Sequence, residues 1–175
     1  MEADLRYPIG KPDRPDHLTE EKRREFIQAI EEAPAKLRTA VARLNESQLD
    51  TPYRPGGWTV RQVVHHLADS HMNAVVRFKL ALTEDEPTIK PYNEARWAEL
   101  PGTQGSIEPS LVLLDALHQR WVQLLRSIPP AQWAKKMVHP EMGAMTLDKT
   151  LATYGWHGRH HVAHITSLRE RNGWR

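Results

Sequence analysis

The sequence predicts an all-α protein: a four-helix bundle with long connecting loops and an extended N-terminal arm. Two observations predict it. Apolar residues recur at helical spacing in four segments that are each long enough for a bundle helix. No segment shows the strict polar and apolar alternation that is typical of a half-buried strand. The length of 175 residues suits a single domain, which we expect to span residues 1–175.

The first predicted helix covers residues 19–45. Thr19 can cap it, and the acidic residues that follow suit the positive end of the helix dipole. Pro34 interrupts the apolar pattern and should kink the helix or split it at Ala33, because proline removes a backbone donor. Residues 1–16 are rich in proline and predict an extended arm, which is either a strap across the surface or a disordered tail.

The second predicted helix begins after Thr59, which forms a capping box with Gln62, and continues to about Leu82. A long segment, residues 83–105, follows it, with a short helix at 93–99. Connections of this length within a compact domain are often functional.

The third predicted helix spans residues 107–128, with Ser106 as its cap, and residues 131–145 are predicted to be irregular. The fourth helix begins at Leu147 and continues to about Asn172, where Gly173 ends it.

Composition narrows the classes of function. The absence of cysteine excludes disulfides, thiolate metal sites and a cysteine nucleophile. A net charge of +2 does not indicate binding to nucleic acid. No apolar run approaches the length of a membrane helix, and the first residues lack a signal-peptide core. We therefore expect a cytoplasmic protein with no nucleic-acid or membrane partner. We also expect a small molecule as its substrate, although composition does not indicate this.

Histidine is the unusual residue of this chain. Seven of the ten histidines fall within residues 65–71 and 157–164. On a helical wheel of the second helix, His66 lies on the flank of the apolar face, His71 on the other flank, and His65 faces solvent. On the fourth helix, the pair formed by His157 and His161 points inward.

Two histidines spaced i, i+4 place both imidazoles on one side of a helix, where they can bind one metal ion. A third imidazole from a facing helix would complete a site with open positions, which is typical of catalytic rather than structural ions. Imidazole ligands suit zinc, nickel, copper or iron, of which we expect zinc or nickel, one ion per chain. A single inward histidine, in contrast, is more often a hydrogen-bonded core residue. His160 and His164 have the same spacing further round the helix and form an alternative pair.

Two long motifs resemble those of the DinB-like proteins. They are the segment from Gly57 to Ser70 (GWTVRQVVHHLADS) and the segment from Tyr154 to Ile165 (YGWHGRHHVAHI). The arm motif RYPIGK at residues 6–11 and the loop motif PYNE at residues 91–94 are similar to those of the YfiT-type group, which is described as metal-dependent hydrolases. The resemblance covers nearly the whole chain.

This resemblance implies a bundle, often a homodimer, that holds one divalent ion through three histidines. Carried over to this sequence, the ligands are His66, His157 and His161. Three residues after the last ligand, where the family commonly has a glutamine, this chain has His164, which either supports a ligand or handles a proton, or else lies at the surface.

The resemblance implies a metal-dependent hydrolase, and two other functions stay open. Some relatives use the ion to activate a low-molecular-weight thiol, which here would come from solution. A non-catalytic, metal-stabilised dimeric bundle is the third possibility. No catalytic residue is assigned. Asp69 and Glu94 are candidate bases, and Trp58 and Tyr154 are candidate pocket residues, although each is also explained by solvation or by packing.

Overall fold

The computed structural model of the chain describes residues 4–175, so the first three residues of the predicted arm lie outside the described part. Helices make up most of that part, together with one small β-ribbon. The elements are α1 (Glu20–Val41), α2 (Glu46–Leu49), α3 (Val60–Thr83), α4 (Glu94–Trp97), α5 (Glu108–Ser127), β1 (Lys136–His139), β2 (Gly143–Thr146) and α6 (Leu147–Asn172).

The four long helices form the predicted bundle. Helix α1 packs mainly against α5 and α6, and α3 packs against the same two helices. The first two long helices, α1 and α3, are therefore diagonal to each other. In a simple up-down bundle they would be neighbours. The long connections make this order possible, and it places α3 beside α6. The two helices that carry the histidine motifs are thus neighbours.

The ends of the long helices follow the predicted signals. Thr59 and Gln62 form the capping box of α3. The Thr146 side chain accepts a hydrogen bond from the backbone of Lys149 at the start of α6, and Gly173 ends that helix in the left-handed conformation, with φ of 63°. Ser106 accepts a bond from the backbone of Glu108 at 3.2 Å, although α5 itself begins one residue later than its predicted cap implied.

Pro34 does not split the first helix at Ala33, so that alternative of the prediction is wrong. Helix α1 continues through Pro34 to Val41, and a separate turn, α2, follows. The carbonyl of Ile30, which would accept the missing N–H of residue 34, accepts a hydrogen bond from His118 Nδ1 at 2.6 Å instead. The interruption is therefore compensated by a side chain of α5.

The prediction of irregular structure at 131–145 is also wrong. Strands β1 and β2 pair in antiparallel register from Lys136 opposite Thr146 to His139 opposite Gly143. Met137 and Met145 face each other in this ribbon and are buried. Strands of four residues are too short to show a convincing alternation, and the positive φ of Gly143, at 73°, is visible only after folding.

From residue 4 onward, the arm forms a strap over α6, so of the two predicted alternatives the surface strap is observed rather than the disordered tail. The backbone N–H of Leu18 bonds to Asp148 Oδ2 at 3.0 Å, and Trp156 Nε1 donates to the carbonyl of Gly10 at 3.2 Å. Asp148 is 1% exposed and also accepts two hydrogen bonds from Arg23 of α1. These contacts hold the strap, α1 and α6 together beside the histidine motif.

Across residues 4–175, none of the helices combines the length and the apolar character that crossing a membrane requires.

Candidate metal centre

Three histidines from α3 and α6 converge in the bundle. The candidate ligand atoms of His66, His157 and His161 all lie within 4.8 Å of one another. The Nε2 atoms of His66 and His157 are 3.2 Å apart. The three rings are inclined to one another by 60°, 67° and 76°, so that their edges rather than their faces meet. In this arrangement, a nitrogen lone pair from each of the three rings can point toward one common position.

Burial keeps these imidazoles neutral, which is the form that binds a metal. Desolvation lowers the pKa of His66 to about 4. The pKa values of His157 and His161 lie well below the ordinary value, first because of burial and then because neighbouring histidines would repel a second charge.

A second group of histidines also satisfies the distance criterion. The ligand atoms of His160, His161 and His164 lie within 4.8 Å of one another, and all three residues are buried. His160, expected to lie further round the helix than His161, is nevertheless buried, and its ring stacks on Trp156 at a centroid distance of 4.0 Å. Its Nδ1 is buried and has no hydrogen-bond partner among the described residues. The two groups share His161.

His164 is not a surface residue. It is 2% exposed, and its Nε2 lies 3.2 Å from the carbonyl of Arg6 in the strap. A carbonyl only accepts, so Nε2 carries the proton and Nδ1 of the neutral ring is an acceptor. That Nδ1 lies 3.4 Å from His161 Nδ1, which therefore donates and leaves His161 Nε2 with a free lone pair. His164 thus supports the orientation of His161.

A second set of contacts supports His157. His157 Nδ1 lies 3.1 Å from His71 Nε2, and His71 Nδ1 lies 2.7 Å from His118 Nε2. His118 ends this series on the carbonyl of Ile30. The sequence predicted only that His71 lies on a flank of its helix, and no role was predicted for His118. The signal that could have found His118 is Pro34, because it leaves the carbonyl of Ile30 without a helical donor, and a buried carbonyl needs a donor from elsewhere.

The three converging histidines line a cleft of about 850 Å³. Aromatic side chains, positively charged side chains and two glutamates form much of the rest of its wall. Apart from the histidines, the polar and aromatic lining residues include Tyr7, Lys11, Arg14, Trp58, Ser70, Arg77, Tyr92, Glu94, Glu141, Tyr154 and Trp156.

Trp58 and Tyr154 both line the cleft and both pack against histidines. The Trp58 ring lies 4.6 Å from that of His66 and 6.4 Å from that of His161. Tyr154 contacts the rings of His71 and His157 and accepts a hydrogen bond from Arg77 Nη1 at 3.2 Å. Trp58 and Tyr154 therefore both pack against the histidines and form part of the cleft wall.

The two candidate bases differ in position. Glu94 lines the cleft, and desolvation by the surrounding walls raises the pKa of its carboxyl group, although nearby Arg77 opposes the shift. Burial also raises the pKa of Asp69, but Asp69 is absent from the cleft wall. Glu94 is thus the better placed of the two.

The prediction that His65 faces solvent is wrong. His65 is half-buried, and its Nδ1 lies 2.8 Å from Ser110 Oγ on α5. The apolar pattern of α3 was assigned to a single face, whereas α3 contacts both α5 and α6. His65 points to the first of these neighbours and away from the converging histidines of α6.

The match to known proteins extends over most of the chain, since residues 29–165 match the DinB superfamily. The chain belongs to the DinB superfamily. A relative from Bacillus mycoides (strain KBAB4), named "Putative metal-dependent hydrolase", is 57% identical over 98% of this chain and 99% of its own length. A relative of the same name from Bacillus cereus (strain B4264) is 56% identical over the same shares.

A solved structure has the same fold. It is YfiT from Bacillus subtilis, described as "a probable metal-dependent hydrolase with an unusual four-helix bundle topology". It superposes with a TM-score of 0.96 at 50% identity and covers 99% of this chain and 100% of its own. The bundle and the YfiT-type resemblance inferred from the motifs are confirmed.

Proposed function

We propose that this protein is a metal-dependent hydrolase that holds one divalent ion through His66, His157 and His161. The observation that carries the proposal is the convergence of these three imidazoles, from two helices, at the wall of a cleft that is large enough for a small-molecule substrate. The names of its relatives support the same class of activity.

The hydrogen bonds favour this set over the alternative formed by His160, His161 and His164. The Nε2 atom of His164 is engaged by a backbone carbonyl, and its Nδ1 faces the Nδ1 of His161. His157 and His161, in contrast, each direct Nδ1 to another histidine, which leaves Nε2 free. An acceptor that takes the other ring N–H of a histidine ligand, and so fixes its tautomer, is usual at metal sites.

The donor set fits a borderline divalent ion. Three neutral imidazole nitrogens suit zinc or nickel, and three protein ligands leave room for water and substrate. When bound, such an ion polarises a substrate carbonyl and lowers the pKa of a water molecule.

The chain's own residues then have defined tasks. We assign Glu94, which lines the cleft, the role of proton acceptor for the attacking water, because desolvation at the cleft wall raises the pKa of its carboxyl group. Arg77 and Tyr154 form a hydrogen-bonded pair in the wall that can orient a polar substrate group. Trp58 covers two of the three imidazoles and limits the access of bulk water to them.

Ion binding tests the assignment of the ligands. We expect one equivalent of zinc or nickel per chain in the purified protein, measured by elemental analysis and by competition with a chelator. Replacing any one of His66, His157 and His161 by alanine should abolish tight binding, because two imidazoles remain. The control His65→Ala should bind normally. A variant of the three that still binds a full equivalent tightly would contradict the ligand assignment.

Turnover tests the reaction. The metal-loaded protein should hydrolyse activated esters or amides, and the alanine variants should not. Turnover that requires an added low-molecular-weight thiol and an electrophile would replace hydrolysis by thiol transfer. Stoichiometric metal binding without turnover in either assay would leave a metal-stabilised bundle. The homodimer and the cytoplasmic location stay predictions.

A further inference from the structure

A continuous series of hydrogen bonds connects the candidate ligand His157 with the backbone of a helix that does not contribute a ligand. It passes from His157 on α6 to His71 on α3, to His118 on α5, and ends at Ile30 on α1. The three separations are 3.1, 2.7 and 2.6 Å. All four bundle helices therefore take part, and His71 and His118 are 1% and 2% exposed.

The last contact exists because residue 34 is proline. In an uninterrupted helix, the carbonyl of residue 30 accepts the N–H of residue 34, and Pro34 has none. A buried carbonyl without a donor is costly, so a donor from another element is favoured there. His118 Nδ1 supplies it.

This carbonyl fixes the direction of every bond in the series. Because Ile30 O only accepts, His118 Nδ1 must donate, and Nε2 of the neutral His118 ring is an acceptor. His71 Nδ1 must then donate to His118, and His71 Nε2 is an acceptor in turn. The partner left for that acceptor is the Nδ1–H of His157. The Nε2 atom of His157 consequently carries a lone pair, and it is this atom that lies 3.2 Å from His66 Nε2.

We propose that His71 and His118 are positioning residues of the metal centre: from the carbonyl left free by Pro34, they hold His157 in the tautomer and ring orientation in which Nε2 faces the ion. The proposal rests on His157 being a ligand, as proposed above. His164 has the matching role for His161, with the carbonyl of Arg6 as its end point. Each of the two proposed ligands on α6 is thus oriented by one or two other histidines that end at a backbone carbonyl. In many metal sites a carboxylate has this role instead.

Paired variants at residue 71 test the hydrogen bond apart from the packing. His71→Phe keeps a ring in the buried space but removes the acceptor for His157. In His71→Gln, the amide oxygen can take the place of the ring Nε2 and restore the acceptor for the Nδ1–H of His157. We expect His71→Phe to lower zinc affinity by about 10–100-fold, as the loss of a hydrogen-bond partner of a metal ligand typically does, and His71→Gln to restore most of the loss. Chelator competition measures both.

Variants at residue 118 test whether the effect is transmitted, since His118 has no contact with the proposed ligands. His118→Phe should weaken zinc binding, and His118→Gln, which can accept from His71 Nδ1, should restore it. The control His65→Gln removes an imidazole that bonds outside the series, to Ser110, and should bind zinc like the unaltered protein. Equal affinities of the phenylalanine variants and the unaltered protein, or no recovery with glutamine, would overturn the proposal.

Ring-nitrogen NMR of the unaltered, metal-free protein gives a test that does not depend on any variant folding. We expect Nδ1, and not Nε2, to carry the proton in His71, His118 and His157. An Nε2–H form of His71 or His118 would refute the series. If the tautomers are as expected but zinc does not bind, the proposed function fails while the hydrogen-bond series stands, so the two failures are distinguishable.

Discussion

Acid should destabilise the metal-free protein because its buried histidines stay neutral in the folded state at pH values at which the unfolded chain protonates them. Burial lowers the pKa values of His66 and His118 to about 4. In the unfolded chain both return to about 6.5. The unfolded state therefore binds more protons between these values, and stability is complete above about pH 6.5 and is lost as the pH falls toward 4.

The size of the effect follows from the two pKa values. At pH 5 each of these histidines should lower the free energy of unfolding by about 2 kcal/mol relative to pH 7.5. Together they account for about 4 kcal/mol, which is a large part of the roughly 5–15 kcal/mol that stabilises a typical domain. Both side chains are at most 5% exposed, so screening by solvent is weak.

Urea unfolding of the chelator-treated protein at the two pH values measures this loss. In the variant His118→Phe the difference between pH 7.5 and pH 5 should shrink by about 2 kcal/mol, since one proton-binding group is removed from the unfolded state. Added zinc should raise stability at pH 7.5, by about 2.7 kcal/mol at a hundredfold excess over its Kd. A metal-free protein that is equally stable at both pH values would refute the assignment of neutral, buried imidazoles.

Three further substitutions have defined outcomes. Asp148→Ala leaves the largely buried Arg23 without its carboxylate, and should lower the free energy of unfolding by about 3–5 kcal/mol in urea titrations, whereas a loss below 1 kcal/mol would show that the pair is dispensable. Gly155→Ala places a Cβ 2.5 Å from the ring of Phe26 and should cost about 1–3 kcal/mol in the same measurement, unless Phe26 moves without loss. Glu94→Gln should leave zinc affinity unchanged and reduce the hydrolysis rate by about 10²–10⁴-fold, and an unchanged rate would exclude Glu94 as the base.

Local signals in the residues were enough for much of the fold. The capping box of Thr59 and Gln62 and the stop at Gly173 are confirmed, because caps depend on side chains within a few positions of the helix end. The pairing of His157 with His161 also follows from helical spacing alone, since residues four apart share a face. The motifs identified the family because each is an unbroken segment of the sequence that can be recognised without the fold.

Contacts between distant segments decided the rest. No local pattern tells that α1 and α3 are diagonal, that the strap reaches His164, or that His118 lies under the carbonyl left free by Pro34. The missing N–H of Pro34 is visible in the sequence, but the donor that replaces it belongs to His118, 88 residues beyond the carbonyl of Ile30. Spacing within a helix is determined by its backbone geometry, whereas the partner of a buried polar group is determined by the packing of whole helices, and here that packing sets the direction in which each imidazole points.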